Sequence, residues 1–329
     1  MTKHLQILIA GGGDYDISTI FAAFKKKMES MKSEEFETCS VDWVSEKKYK
    51  GFVLIIIGGR NLDVIPSTID VQLVISMSAG VDHILTGNPH LKCLASVPLI
   101  RLKDPTMAQH MAENVLIHTL RYKHKHNVFA QYQQMGLWKP HYGTRKTVVG
   151  VLGCGFLGSK IVEFLTPHVD EICVFSKSGK NPLQKHKCME EFLKYINVLI
   201  IIVPLTPETE GIIGHRELSL LPPGSCVINV SRGKILDIDA LVSHLSDEIF
   251  VSPESLKAGK NIGCAFLDVF PKEPIEKDDP IWKLPNLFIT PHVSGVSSFS
   301  SLLETVATEI QCFIKNGTSE SLVDKEKGY

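Results

Sequence analysis

Long hydrophobic runs are missing from this sequence. Its longest apolar stretches, 52–57 and 198–204, fall far short of the ~20 residues a membrane helix requires. An excess of positive charge is missing too, since 35 Lys and Arg face 36 Asp and Glu for a net charge of -1. Proteins that grip nucleic acid usually carry a basic surplus to neutralise phosphates. Neither a membrane nor a nucleic-acid partner is therefore expected. The one short basic run, Lys123-His124-Lys125-His126, falls inside a helical pattern and reads as a solvated face. Among the eight cysteines no C-x-x-C pair occurs, and several lie in apolar runs. That argues for Cys used as a small hydrophobe in a reduced compartment, with no disulfide framework and no metal site. Internal repeats and low-complexity segments are also lacking. The N-terminus enters an apolar run almost at once, without a signal-peptide pattern, so the expected location is the cytoplasm.

What is present is a regular alternation. The 329 residues, 44% of them apolar, suit two domains of roughly 100–200 residues each. Short Ile-, Val- and Leu-rich runs at 6–10, 41–44, 52–58 and 73–77 read as buried strands, with a helical pattern at 17–31 between the first two. A long helix is predicted from Met107 to about Gln134. A second series follows, with strands at 147–152, 171–175, 198–203, 226–230, 264–268 and 287–289 and a helix at 156–165. Strands alternating with helices imply parallel sheets covered on both faces. The fold class is α/β, with two doubly wound, Rossmann-like parallel-sheet domains. The polar tail, 316–329, is expected on the surface, and the connector 247–261 has no assigned role.

Gly153-Cys154-Gly155-Phe156-Leu157-Gly158 forms a G-x-G-x-x-G directly after the strand at 147–152 and at the start of a helix. This context turns a weak motif into a dinucleotide-binding signal. Gly153 permits a tight turn, Gly155 lets the backbone approach a pyrophosphate, and Gly158 allows close packing of helix on strand. The helix N-terminus adds N–H donors and a partial positive charge. At the end of the next strand an acid would bind the ribose 2′-hydroxyl of NAD. Here that slot holds Ser176, then Lys177 and Ser178, with Lys180 close by. Hydroxyls and an ammonium suit a 2′-phosphate, so NADP(H) is favoured, with NAD(H) the alternative.

Three segments end strands on the cofactor side: Asn229–Gly233, Leu267–Pro274 and Thr290–Ser294. They deliver Arg232, Glu273 and His292 to the edge where open α/β sheets bind ligands. Arg binds oxygen atoms in a forked geometry and stays charged. Imidazole exchanges a proton near neutral pH. A neighbouring carboxylate favours imidazolium and fixes its orientation. Together these are the requirements for reducing a 2-oxoacid: a cation for the carboxylate and ketone, a proton donor, and a group that keeps the donor charged. Taken singly, each residue has an ordinary structural explanation as an ion pair, a turn residue or a core histidine.

These segments carry a resemblance to a known family. Ser78–Leu85, Arg101–Asp104 with Met107, Val151–Lys160, Pro204–Thr209, Ser231–Gly233, Leu267–Pro274 and Pro291–Val293 are similar, in order, to the motifs of the D-isomer-specific 2-hydroxyacid dehydrogenases. Within that family the chain most resembles the glyoxylate/hydroxypyruvate reductase A branch. The resemblance implies that Arg232 binds the oxoacid, His292 acts as general acid/base and Glu273 partners it. It implies that Ala79 and Gly80 hold the substrate carboxylate, with Trp43 near the substrate or packed in the core. Met107, Phe156, Leu157, Val203, Pro204, Thr209, Val230, Ser231, Asp268 and Ser294 would line the dinucleotide. Implied as well are a discontinuous substrate domain (1–103 and 291–329), a dinucleotide domain (104–290), an active-site cleft between them and a homodimer in which Trp138 reaches the interface or simply packs. Ser78 stands where the family usually has Gly, next to the carboxylate-binding residues. The alternatives are a dehydrogenase of a larger 2-hydroxyacid and a non-enzymatic, dinucleotide-sensing corepressor of similar fold.

Replacing Ser176 and Lys177 together by Asp is expected to shift the ratio of NADPH to NADH affinity toward NADH. Coenzyme titrations of the double variant check this, and an unchanged ratio would defeat the assignment of the 2′-phosphate site.

Overall fold

The computed structural model describes residues 4–10, 17–29, 38–45, 48–49, 52–57, 63–66, 68–85, 93–140, 146–177, 179, 181–245 and 253–329. The chain divides into two compact units, Met1–Thr106 with Ser297–Tyr329, and Met107–Val296. His292 and Ser294 thus belong to the second unit.

In the first unit, β1 (His4–Ala10), β2 (Thr38–Trp43), β3 (Phe52–Ile57), β4 (Leu73–Ser76) and β5 (Leu99–Arg101) form a sheet in the order β2-β1-β3-β4-β5. Its strand pairs are all parallel. Ile7, Leu8, Leu54, Ile55 and Ile56, consecutive along their strands, are fully buried. A strand apolar on both faces must be covered on both. Helix α1 (Ile17–Glu29) follows β1, and α2 (Asp82–Leu85) follows β4. The C-terminal part of the chain supplies a long helix, α10 (Phe299–Asn316). Ser298 caps its start by accepting from the Ser301 N–H, and Gly317 ends it at a φ of 68°, the left-handed position that favours glycine. Lys27 and Glu304 pair at 2.5 Å between α1 and α10.

The tail after α10 is not the loose surface segment its polarity suggests. Leu322 bridges Ile100 in antiparallel fashion. The Val323 N–H donates to the Leu99 carbonyl at 2.8 Å. Lys325 Nζ donates to the carbonyls of Leu94, Ala95 and Val97. Ser321 and Val323 are buried. The edge strand β5 leaves backbone groups unpaired on one side, and the tail satisfies them.

The second unit holds β6 (Val148–Leu152), β7 (Glu171–Phe175), β8 (Val198–Ile201), β9 (Ser225–Asn229), β10 (Ile262–Leu267) and β11 (Leu287–Ile289) in the order β11-β10-β9-β8-β6-β7. Every pairing is parallel. Two apolar clusters cover the sheet, with alternate residues of each strand going to opposite clusters. Leu199, Ile201, Val227 and Leu267 join one, and Val198, Ile200, Ile228 and Phe266 the other. Strand order reverses at β6, and such a switch point opens a crevice beyond the strand C-termini. The flanking helices are α3 (Pro105–Lys123), α4 (His126–Gln134), α5 (Phe156–Leu165), α6 (Met189–Tyr195), α7 (His215–Leu220), α8 (Ile238–His244) and α9 (Pro253–Lys257). Helix α9 lies within the connector 247–261, the start of which falls outside the described residues.

The long helix expected from Met107 to Gln134 is two helices. Lys125 adopts a φ of 58°, which breaks the right-handed run and starts α4 afresh. The basic run is therefore the hinge between α3 and α4. Lys123 Nζ donates to the His168 carbonyl at 2.7 Å, and Lys125 Nζ lies 4.6 Å from the Tyr122 ring centre. No helix among the described residues is long and apolar enough to cross a membrane.

His118 of α3 is buried against Phe266, their rings stacked at 4.5 Å. Its Nδ1 makes no hydrogen bond among the described residues. Burial, with the Arg121 charge adding to it, pushes the imidazole down from 6.5 to about 4, against a smaller opposing pull from Asp268. A base whose folded value is depressed binds more protons when unfolded, so its contribution to stability is complete above its unfolded value and is lost on acidification. The window runs from pH 6.5 down to about 4, and the loss is on the order of 3 kcal/mol. His118→Phe is expected to flatten stability across this window. Urea unfolding at both ends of it checks this, and an unchanged pH dependence would remove His118 as its source.

Candidate active site

The Gly-rich loop joins β6 to α5. Gly153 sits at a φ of 103°, and a Cβ there would come within 2.7 Å of the Ile202 carbonyl oxygen. At Gly158 a Cβ would approach the Gly153 oxygen to 2.5 Å. Both glycines are thus required by close backbone packing. Gly155 differs, since a Cβ there would meet nothing within 4 Å. Its surroundings are open, as a cradle for a bound group must be. It is also the N-cap of the ten-residue helix α5, whose first turn receives no side-chain cap. Such an N-terminus offers N–H donors to an anion, so the loop fits a dinucleotide pyrophosphate. Phe156 is partly exposed at the helix start. Val203 adjoins the loop, its Cγ1 2.9 Å from where a Gly153 Cβ would lie.

At the end of β7, Ser176 donates from its N–H and Oγ to Gln184 Oε1 at 3.0 and 3.1 Å. Lys177 Nζ lies 2.5 Å from Glu208 Oε2. Glu208 belongs to the turn after β8, which Thr209 pins by accepting from the Thr206 N–H at 2.8 Å and donating to the Pro204 carbonyl at 2.6 Å. No carboxylate stands at the end of β7 itself; Glu208 arrives from a different loop. Ser178 and Lys180 lie outside the described residues.

Arg232 is presented by a turn that Asn229 organises. Buried Asn229 accepts from the Ser231 N–H and Oγ at 3.1 and 2.9 Å, and its Nδ2 donates to the Arg232 carbonyl at 3.1 Å. Arg232 Nη1 donates to the Ser231 carbonyl at 2.8 Å. Val230 and Ser231 are buried beneath this turn. The adjoining Gly233 lies against the loop that carries Glu273, where a Cβ would sit 1.9 Å from the Phe270 carbonyl carbon. The absence of a side chain at Gly233 is what brings the Arg232 turn and the Glu273 loop together.

Glu273 is held by the Phe270 N–H on Oε1 at 2.9 Å, while its Oε2 lies 2.8 Å from His292 Nδ1. A carboxylate only accepts, so Nδ1 carries the hydrogen and proton gain or loss falls to Nε2. His292 has a φ of 55°, uncommon for a residue with a side chain and typical of functional positions. Asp268, only 3% exposed, sets that shape. Its carboxylate accepts from Thr290 Oγ1 at 2.6 Å, the Val293 N–H at 2.8 Å and the Ser294 N–H at 2.9 Å. Helix α3 supports the same loop. His110 Nδ1 lies 3.0 Å from the Ser294 carbonyl, and Ser294 Oγ donates to Asn114 at 3.2 Å. Met107 and Met111 border Gly295.

The second unit therefore gathers Asp268, Glu273, His292 and Ser294 into one bonded cluster beside the Arg232 turn. Ala79, Gly80 and Trp43 belong to the first unit. Ala79 and Gly80 are half-buried between β4 and α2, next to Ser78, whose carbonyl accepts from the Leu102 N–H at 3.2 Å. Trp43 stacks on Phe21 at 4.7 Å and is 42% exposed. The sequence assigns no role of their own to Asn229, Asn114, His110 and Glu208. Only Asn229, a polar residue closing an apolar strand, carried a local signal.

Comparison with known proteins agrees with this architecture. A model of the D-isomer specific 2-hydroxyacid dehydrogenase NAD binding domain matches residues 115–294. The chain is 26% identical to a D-isomer specific 2-hydroxyacid dehydrogenase from Xanthobacter autotrophicus solved with NADPH and MES, with 98% of this chain and 99% of that one covered and a TM-score of 0.80. An NADPH-dependent glyoxylate/hydroxypyruvate reductase from Sinorhizobium meliloti, solved with NADP and sulfate, shares the fold at 23% identity, full coverage of both chains and a TM-score of 0.76. A family protein from Klebsiella pneumoniae shares it at 22% identity, 99% coverage of both and a TM-score of 0.75. The chain belongs to the D-isomer specific 2-hydroxyacid dehydrogenase family, NAD(P)-dependent oxidoreductases with two parallel-sheet α/β domains.

Gly233→Ala is expected to cost about 3 kcal/mol or more, because the new Cβ would meet backbone that cannot rotate away. Thermal unfolding checks this, and a midpoint equal to the parent's would show that the two loops are less closely apposed.

Proposed function

We propose that this protein reduces small 2-oxoacids, glyoxylate and hydroxypyruvate among them, to 2-hydroxyacids with NADPH as hydride donor. The observation that carries the reading is the 2.8 Å contact of His292 Nδ1 with Glu273 Oε2 on a strand-end loop beside the Arg232 turn. The dinucleotide supplies the hydride when bound. Gly153, Gly155, Phe156, Leu157 and Gly158 hold its pyrophosphate. Ser176, Lys177 and Ser178 take its 2′-phosphate. Met107, Val203, Pro204, Thr209, Val230, Ser231, Asp268 and Ser294 line the remainder. The solved relatives carrying NADPH or NADP support this choice of coenzyme.

Arg232 binds the oxoacid and draws electron density toward the ketone oxygen. Glu273 holds the imidazole by Nδ1 and fixes the orientation of the ring. His292 then gives a proton from Nε2 to the oxygen as hydride reaches the carbon, so no free alkoxide develops. The backbone of Ala79 and Gly80 takes the substrate carboxylate, and Trp43 borders the substrate.

The protein works as a homodimer in the cytoplasm. Trp138 is fully exposed in the single chain, with Met135 and Leu137 half-exposed beside it, an apolar patch that a second copy would cover. Cys173, Cys226 and Cys264 are buried in the apolar clusters, where Cys serves as a small hydrophobe.

Purified protein with NADPH and either glyoxylate or hydroxypyruvate is expected to consume NADPH absorbance. His292→Ala is expected to lose at least about a hundredfold in kcat while NADPH binding persists. No turnover with any 2-oxoacid despite tight dinucleotide binding would favour a sensing role, and retained turnover in His292→Ala would remove that residue from the chemistry.

A further inference from the structure

Resting on the NADPH reading above, we infer that Glu208 is a specificity-determining residue that weakens the preference for the 2′-phosphate. Its carboxylate lies 2.5 Å from Lys177 Nζ, the cation assigned to that phosphate. Both side chains are about two-thirds exposed, 66% and 68%, so neither is locked in place by packing. Glu208 is nonetheless delivered to one position, because the Thr206–Thr209 turn beneath it is closed by side-chain and backbone bonds. Ser176, the other candidate ligand, is meanwhile held by Gln184.

Lys177 has three N–H donors but a single charge, so two anions held beside it repel each other. A 2′-phosphate entering this corner must take Lys177 from Glu208 and then lie near a displaced carboxylate. A 2′-hydroxyl meets no such obstacle, and the Glu208 carboxylate is an acceptor for it, which supplies the group missing from the end of β7. The same residue therefore subtracts from NADPH binding and leaves NADH binding intact or improved. An exposed ion pair is a modest force, so the consequence is a moderated preference.

The test compares 2′,5′-ADP with 5′-AMP, fragments that differ only by the phosphate in question, in calorimetric titrations of the parent protein and Glu208→Gln. The variant is expected to bind 2′,5′-ADP about two- to fivefold more tightly, with 5′-AMP unchanged or weaker. The gain shrinks at high salt, since the interaction is exposed. The same ratio of the two affinities in both proteins overturns the inference. Weaker 2′,5′-ADP binding in Glu208→Gln also overturns it and makes Glu208 a support that positions Lys177 for the phosphate. Binding of neither fragment by the parent protein, together with no binding of NADPH, removes the coenzyme reading and this inference along with it.

Discussion

The buried carboxylate of Asp268 is the constraint on which the rest of the site depends. It stands just past the end of β10, nearly sealed from water, and accepts three hydrogen bonds from the segment Thr290–Ser294. A carboxylate in so dry a position is tolerable only if its oxygens are satisfied. The segment that satisfies them is the one that bears His292, and it does so with His292 in the left-handed region. The bonds to Val293 and Ser294 immediately follow that residue, and the His292 N–H itself donates to the Asp268 carbonyl at 2.9 Å. The imidazole is therefore placed by its neighbours' backbone, and Glu273 has only to fix the ring.

The loops can be this close because the sheet beneath them is built without slack. Strands β8, β9 and β10 are buried on both faces and pair in parallel, and after a register shift between Ile262 and Cys264 the β9–β10 pairing runs unbroken to Leu267 and Asn229. Their ends leave the sheet side by side, bringing Asn229 and Asp268 within one hydrogen bond: the Asp268 N–H donates to the Asn229 carbonyl at 3.0 Å. Two buried polar side chains at adjacent strand ends then organise two loops, Asn229 the Arg232 turn and Asp268 the His292 segment. Gly233 removes the side chain that would hold the Arg232 turn off the Glu273 loop. On the proposed reading the chemistry falls to Arg232, Glu273 and the more exposed His292, while their placement comes from buried residues.

This division explains what could be read from the sequence. The parallel strands were legible because residues buried on both faces leave near-continuous apolar runs, and the bounds of β7, α5 and β11 coincide with those expected. The Gly-rich loop was legible because its spacing is dictated by one turn and one helix start. Arg232, Glu273 and His292 were legible as charged or titratable residues just after strands. Other features depend on contacts between segments far apart in the chain. Nothing local marks Asn114 or His110 as props for Ser294, or places Glu208 opposite Lys177, 31 residues earlier. The break at Lys125 leaves no mark in the sequence because the apolar spacing continues across it, and only the backbone angle reveals two helices. The tail looked like surface because its burial is owed to the open edge of β5.

Charge also has to be local in this protein. With a net charge of -1, no overall field draws in an anionic coenzyme or a carboxylate substrate. On the proposed reading both ligands are anions, so each must be met by donors fixed in place. The start of α5 offers backbone N–H groups without a counter-charge. Lys177 and Arg232 offer full charges, but in different settings. Arg232 is half-buried, and its guanidinium is tied to the Ser231 carbonyl, so its geometry is set before substrate arrives. Lys177 is exposed and shared with Glu208, so its strength depends on what competes for it. A fixed cation at the reacting end and a contested one at the adenosine end imply unequal tolerance. Misplacement at Arg232 changes transition-state contacts and hence the rate, whereas redistribution around Lys177 changes only how tightly one coenzyme is held relative to the other.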